Sequence, residues 1–330
     1  MMFKLDEHPQ IRDVSFPTLI RLLGKINEHQ PVSYRDIVEK PTNSFIDVWT
    51  TNGGMMSRTR RYYHLNALKV LGLIGQNRKE YSVSTFGDEI LQASGILMDA
   101  SLNEETLSLL RWAVLNSPYI QENFFVLFVG TPYKNPLKWG HPISLNPVPG
   151  KRTYSLKSSV WPDELRLSVL QTQGFIWGLK QWCQYLSITD EIFIRPQGEV
   201  TEDQVNIIFP IDIEKSKLIS VLQFHEMLKK YLPFGKPVYK DTISISIPLL
   251  LYKICPGEHI PLNRAKELLL GWIKENSEAA FIESSSFPVL ESGRYKRGSS
   301  NASWRKQEDA FLLVNGKYFS RLFVSESLWK

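Results

Sequence analysis

The sequence predicts an α+β protein, in which helices and mainly antiparallel strands occupy separate stretches of the chain. In the first third, apolar residues recur at the spacing of amphipathic helices. Near the end, two apolar runs flank Asn315-Gly316, a dipeptide typical of tight β-hairpin turns. The chain has 330 residues, of which 43% are hydrophobic and 22% charged, so it can bury a sizeable core.

The charge balance and the cysteines exclude few classes of function. The formal net charge of +5 is compatible with a nucleic-acid partner, although many basic proteins bind no anion. Cys183 and Cys255 lie in apolar segments, and we expect two buried thiols rather than a zinc site. The sequence shows neither a signal-peptide core nor an apolar run long enough to span a bilayer. We therefore expect a cytoplasmic protein without a membrane partner.

The first two helices are indicated by periodicity and by capping residues. Leucine and isoleucine side chains form one stripe over residues 16–29, and Ser15 is a suitable capping residue. A short second helix is predicted over 34–39, because Ser33 and Asp36 have the spacing of a capping box. Residues 41–56 are predicted to be a connector.

A third helix, predicted from Ser57 to about Leu71, carries the most informative pattern. At about 100° per residue, its leucines gather on one face and four polar residues gather on the opposite face. The polar face comprises Arg58, Tyr62, Asn66 and Lys69. Arg60 and Arg61 are predicted to lie on the flanks of the helix.

The third helix is followed by a predicted strand, polar turn and strand over residues 73–83, with Arg78 and Lys79 in the turn. A further helix is predicted to begin near Thr85. This order resembles the winged helix-turn-helix fold. The resemblance is carried by ALKVLGLIGQNRKEYSVSTFGDEIL, from Ala67 to Leu91, and it covers about residues 15–95.

The resemblance implies a DNA-binding domain whose third helix enters the major groove. We expect Arg58 and Asn66 to bond to base edges, since arginine favours guanine and asparagine favours adenine. The expected phosphate contacts are Arg60, Arg61, Lys69, Arg78 and Lys79, and Tyr62 would contact a phosphate or a thymine methyl. The alternative is a solvated basic face on a winged helix that docks a protein partner.

Domain boundaries in the rest of the chain have weaker signals in the sequence. We predict a winged-helix domain over 1–100, a helical middle with a Pro-rich basic connector over 101–200, and a mixed α+β domain over 201–330. Within these ranges, helices are predicted at 103–116, 163–186, 217–231 and 261–276. Residues 178–194 are interpreted either as part of a second winged-helix-like unit or as a plain helix followed by a strand.

A second basic cluster lies between residues 294 and 306, where small polar residues surround five cations. The cations are Arg294, Lys296, Arg297, Arg305 and Lys306. A contact that tracks a nucleic-acid backbone has this composition, with Tyr295 or Trp304 available for base stacking. The alternative interpretation is a solvated loop.

The sequence carries few of the patterns that are typical of enzymes. The phosphate-binding G-x-x-x-x-G-K-[ST], zinc-binding H-E-x-x-H and hydrolase G-x-S-x-G patterns are missing from the sequence. No Asp or Glu is followed two residues later by Lys, as the nuclease pattern requires. Asp212-Ile213-Glu214 is a relaxed match, which we interpret as a turn at a strand end. No catalytic residue, metal or cofactor is predicted.

These observations favour a non-enzymatic protein that binds double-stranded DNA and recruits a partner to it. By analogy, a regulatory complex or a bacterial restriction or phage-defence complex would contain such a subunit. Three alternatives remain. They are a winged-helix interaction subunit of a larger complex, a metal-dependent nuclease whose carboxylates are not apparent in the sequence, and a transcription regulator that senses a small molecule. A protein partner or a homodimer is compatible with the first two hypotheses.

Overall fold

The structure is a computed structural model that divides into two compact units. Unit 1 spans Met1–Leu127 and Leu167–Leu186, and unit 2 spans Phe128–Arg166 and Ser187–Lys330. This division is coarser than the three predicted ranges, which stay predictions. The residues that the structure describes are 11, 14–51, 54–95, 102–125, 129–130, 133–134, 153–156, 165–168, 178–194, 205–239, 241–284 and 311–328.

Unit 1 consists mainly of helices with a small antiparallel sheet. Its helices are α1 (Phe16–His29), α2 (Asn43–Trp49), α3 (Arg58–Val70), α4 (Thr85–Ser94), α5 (Glu104–Asn116), α6 (Pro118–Ile120) and α7 (Gly178–Tyr185), with π-helical turns at Arg35–Glu39 and Gln121–Phe125. Its strands are β1 (Val32–Ser33), β2 (Thr50–Thr51), β3 (Gly54–Met55), β4 (Ile74–Asn77) and β5 (Glu80–Val83). The sheet order is β1-β5-β4, and β2 pairs with β3.

The predicted ends of α1 are confirmed, and its local chemistry explains them. The Ser15 hydroxyl accepts a hydrogen bond from the Thr18 backbone N–H, which satisfies one free donor of the first turn. Leu19, Leu22 and Ile26 are fully buried, so the predicted stripe faces the core. Burial of such a stripe gives most of the stability of a short helix.

The prediction that residues 41–56 form a connector is wrong, because α2 and the β2–β3 pair lie there. Phe45, Val48 and Trp49 are buried at helical spacing. The Trp49 indole N–H donates to the Ile37 carbonyl over 2.9 Å. The stripe covers only two turns, which is too short to be distinguished from a loop by periodicity alone.

Unit 2 is built around two antiparallel sheets. Its strands are β6 (Tyr133–Lys134), β7 (Thr153–Leu156), β9 (Thr189–Ile194), β10 (Val205–Pro210), β11 (Lys236–Tyr239), β12 (Thr242–Ser246), β13 (Ala280–Ser284), β14 (Leu312–Val314) and β15 (Lys317–Ser325). A separate strand, β8 (Leu165–Ser168), pairs with β7. One sheet has the order β6-β10-β9, and the other has the order β11-β12-β15-β13 with β14 beside β15. The Asn315-Gly316 hairpin is therefore confirmed.

The helices of unit 2 pack with these strands around one apolar core. They are α8 (Ile213–Leu218), α9 (Val221–Lys229), α10 (Ile247–Glu258) and α11 (Leu262–Glu275), with 3₁₀ turns at Leu232–Phe234 and Glu326–Leu328. Phe209, Phe224 and Trp272 are the largest side chains of the core and are fully buried. Helices and antiparallel strands thus coexist in the chain, in agreement with the predicted α+β class.

Two predicted helices differ from those observed. Residues 165–168 of the helix predicted over 163–186 form strand β8. The helix predicted over 217–231 is interrupted at Ile219 and Ser220, where Ser220 and Gln223 form a capping box that starts α9. The Arg264 guanidinium donates to the carbonyls of Ser216 and Ile219, which stabilises the end of α8.

The expectation of two buried thiols is met. Cys183 and Cys255 are buried free thiols, and burial raises the pKa of both. A buried, protonated thiol is chemically inert. Within the part of the chain that the structure describes, no helix has the length and apolar character needed to cross a membrane.

Candidate nucleic-acid interface

The exposed side of α3 presents the predicted cations. Ser57 caps the start of the helix, because its hydroxyl accepts from the Arg60 backbone N–H, and the leucines of the helix are buried. This arrangement leaves Arg58, Arg60 and Lys69 exposed, and Tyr62 keeps 40% of its surface accessible. All four side chains are therefore accessible, and their DNA contacts stay predictions.

The β4–β5 hairpin carries its two cations at the tip. Asn77 pairs with Glu80, so Arg78 and Lys79 form a two-residue turn, as predicted. Arg78 has φ 55°, a left-handed conformation that costs a non-glycine residue about 1–2 kcal/mol. Both side chains are exposed. The turn therefore holds two charges at the outermost point of the hairpin.

A chain of hydrogen bonds joins α3 to the hairpin. The Lys69 ammonium donates to Gln76 Oε1 over 2.9 Å, and Gln76 Nε2 donates to the Arg78 carbonyl over 2.9 Å. Lys69 Nζ also lies 6.0 Å from the centre of the Tyr81 ring. These contacts link the backbone of the hairpin tip to the helix, so Lys69 contributes to the placement of the tip in addition to its charge. The sequence pattern did not identify Gln76.

Arg58 is paired with an acidic residue. Its Nη2 atom lies 2.6 Å from Glu39 Oε1, and both side chains are largely exposed, at 63% and 40%. Exposed ion pairs contribute only about 0–1 kcal/mol, so Arg58 can exchange this carboxylate for a phosphate at little cost. Glu39 also brings a negative charge to the surface that the basic residues form. Its contact spans 19 residues of sequence and has no local signal.

The position predicted for Arg61 is wrong. Its side chain is only 7% exposed and is therefore buried rather than presented to solvent. The guanidinium donates to the carbonyls of Val38 and Met56, which lie at the ends of neighbouring elements. Such terminal carbonyls lack partners within their own helix or strand, and a buried arginine satisfies two of them. Arg61 therefore holds the framework together.

The position predicted for Asn66 is also wrong, because the residue is only 6% exposed. All five residues from His64 to Leu68 are buried, so this part of α3 is enclosed and has no solvent face. Asn66 Nδ2 is buried and has no hydrogen-bond partner among the described residues. A helical wheel places residues around a helix but cannot tell how much of the circumference is covered.

Six of the predicted residues are exposed on α3 and on the tip of the hairpin bonded to it, namely Arg58, Arg60, Tyr62, Lys69, Arg78 and Lys79. We call these six residues the basic surface. It includes the edge of an aromatic pair in which the rings of Tyr34 and Tyr62 lie 6.2 Å apart. The five cations predicted between residues 294 and 306 lie outside the described residues.

The two carboxylates considered for a nuclease, Asp212 and Glu214, make local contacts at α8, and the buried Asp190 caps another helix. Asp212 Oδ1 accepts from the Lys215 backbone N–H at the start of α8, and Glu214 pairs with Lys217 at 2.8 Å. Asp190 accepts from the Leu262 backbone N–H at the start of α11, and burial raises its pKa. In the described ranges, His, Cys, Asp and Glu side chains form no group of three or more able to hold a metal.

Comparisons with known proteins give only distant structural neighbours. The sequence matches no protein-family model and no curated protein. Among solved structures, the restriction endonuclease FokI bound to DNA is similar with a TM-score of 0.41 and 12% identity, over 86% of this chain and 62% of that chain. The structure of FokI alone gives 0.40 and 12%, over 84% and 61%. The chain thus spans less than two thirds of that protein's length.

Proposed function

We propose that unit 1 is a winged-helix domain that binds double-stranded DNA through the basic surface. The observation that carries the proposal is the hydrogen-bonded connection between α3 and the hairpin tip through Lys69 and Gln76. A helix that enters the major groove and a hairpin that grips the adjacent backbone must keep a fixed relative position. The basic surface has five cations, and Glu39 pairs with one of them.

The role proposed for each residue follows from its place. Arg60 and Arg58, in the first turn of α3, would approach base edges or phosphates, since recognition helices contact bases near their N-terminal ends. Arg78 and Lys79 would contact phosphates beside the groove. Tyr62 offers a hydroxyl and a ring on the same side. Arg61 and Asn66 have no direct role in this proposal.

The test is duplex binding over a salt series with a variant that removes two cations and breaks no described contact. Arg60→Ala/Lys79→Ala meets this condition, because neither side chain has an ion pair among the described residues. Loss of two phosphate contacts should reduce the slope of log affinity against log salt by about 1.8, and affinity at low salt should fall about tenfold.

The matched control is Arg21→Ala/Lys25→Ala, which removes the same charge from α1. It should change affinity much less than the test variant. Equal losses in the two variants would show that net charge, rather than the basic surface, attracts DNA. Absence of wild-type binding at low salt would reject the proposal.

The larger role that we propose is that of a non-enzymatic subunit that recruits a partner to DNA. Incubation of duplex with the protein and Mg²⁺ tests the first part of this proposal. Intact DNA over long incubation agrees with it. Cleavage that persists in pure wild type and is lost in Asp212→Ala or Glu214→Ala would support the nuclease alternative instead.

A further inference from the structure

A second surface of unit 1, formed by α4 and α5, has the opposite character to the basic surface. On α5, residues Glu105, Ser108, Trp112 and Leu115 recur at helical spacing, and all four are exposed. Trp112 keeps 54% of its surface accessible and Leu115 keeps 41%. Such an exposed tryptophan is unusual for a soluble surface and is typical of binding sites.

Helix α4 extends this surface beside α5. The rings of Phe86 and Trp112 lie 4.7 Å apart, at the start of α4 and near the end of α5. Asn103 Nδ2 donates to the Ala93 carbonyl over 2.7 Å and joins the opposite ends of the two helices. The helices are therefore antiparallel, and exposed Glu89 lies one turn from Phe86 on the same surface.

The charge of this surface is negative. Helices α4 and α5 contain four acidic residues and one cation, Arg111. Arg111 is already engaged, because it donates to Glu104 and to the Leu186 carbonyl. Neither Glu89 nor Glu105 has an ion-pair partner among the described residues. The exposed apolar side chains thus share this surface with two carboxylates that have no ion-pair partner among the described residues.

We infer that the α4–α5 surface docks a cationic, amphipathic segment of a partner protein. Its apolar side would pack on Trp112, Leu115 and Phe86, and its lysines or arginines would pair with Glu89 and Glu105. Nucleic acid is disfavoured by repulsion from the carboxylates. A second copy of α4 and α5 is disfavoured because it would bring more carboxylates and no free cation. The inference does not depend on DNA binding.

The experiment uses a labelled synthetic peptide of about four helical turns, with leucines on one face and lysines on both flanks. Its binding to the full chain is followed by fluorescence anisotropy. A second peptide carries glutamate in place of each lysine. We expect wild type to bind the lysine peptide and to bind the glutamate peptide at least about tenfold more weakly.

Three variants separate the apolar and charged contributions. Trp112→Ala should weaken binding of the lysine peptide at least about tenfold. Trp112→Phe, which keeps a ring beside Phe86, should have a smaller effect and guards against misfolding. Glu89→Lys/Glu105→Lys should reverse the preference and bind the glutamate peptide more tightly.

The control is Glu275→Lys/Glu278→Lys, which makes the same charge change on exposed residues of unit 2 and should leave peptide binding unchanged. The inference is overturned if Trp112→Ala binds as wild type does, if the charge reversal leaves the preference intact, or if wild type binds neither peptide. DNA affinity of the same variants shows whether the two surfaces act independently.

Discussion

Arg60 and Arg61 are consecutive residues of α3 that lie in opposite surroundings. Arg60 is exposed on the basic surface, whereas Arg61 is 7% exposed and bonded to two backbone carbonyls. The same difference separates exposed Lys69 from buried Asn66. A polar residue in a helix can therefore serve either a ligand or the framework, and these roles predict different effects on stability and on binding.

The largest expected effect is a loss of stability when the buried Arg61 side chain is removed. Arg61→Ala should lower the free energy of unfolding by about 3 kcal/mol, because the carbonyls of Val38 and Met56 lose their donors. Arg60→Ala, the neighbouring control, should change stability by less than about 0.5 kcal/mol. Urea denaturation followed by circular dichroism measures both. Similar stability for the two variants would contradict the assignment of Arg61 to the framework.

Arg78→Gly, at the hairpin tip, should lower DNA affinity without lowering the stability of the fold. Arg78→Gly relieves a left-handed conformation, so stability should stay unchanged or rise by up to about 1 kcal/mol. DNA affinity at low salt should nevertheless fall about fivefold, because a tip cation is lost. Thermal unfolding and duplex binding test the two parts. A loss of stability together with the loss of DNA affinity would mean that the Arg78 side chain stabilises the turn.

Glu39 should act against DNA binding from its place beside Arg58. Glu39→Gln removes a negative charge and frees the guanidinium, so affinity at low salt should rise about two- to threefold. Glu28→Gln, which frees Lys25 on α1 in the same way, is the control and should have less effect. Binding isotherms at two salt concentrations measure the change. A decrease in affinity for Glu39→Gln would show that the ion pair positions Arg58 productively.

The smallest expected effect is that of Asn66→Ala. Because the side chain is buried, DNA affinity should remain within about twofold of wild type for every sequence tested. Competition among duplexes of different sequence measures this. If the variant lost preference specifically at adenine positions, Asn66 would have to become exposed on binding and would regain its predicted role.

Some parts of the fold are encoded locally and could be read from the sequence. The limits of α1, the strands of the β4–β5 hairpin and the exposure of Arg78 and Lys79 follow from periodicity, capping and turn residues. Each of these signals acts within a few residues, as the Ser15 cap does. The cationic character of the basic surface was likewise present in the sequence.

Other parts were decided by contacts between distant residues. Arg61 faces inward because carbonyls of Val38 and Met56 need donors, and the first of these lies 23 residues away. The end of α8 depends on Arg264, more than 40 residues further along the chain. Asn66 is buried because α3 is enclosed at that point. The sequence determined which residues are polar and which elements form, whereas tertiary packing decided which polar groups satisfy the protein's own backbone and which remain available to a partner.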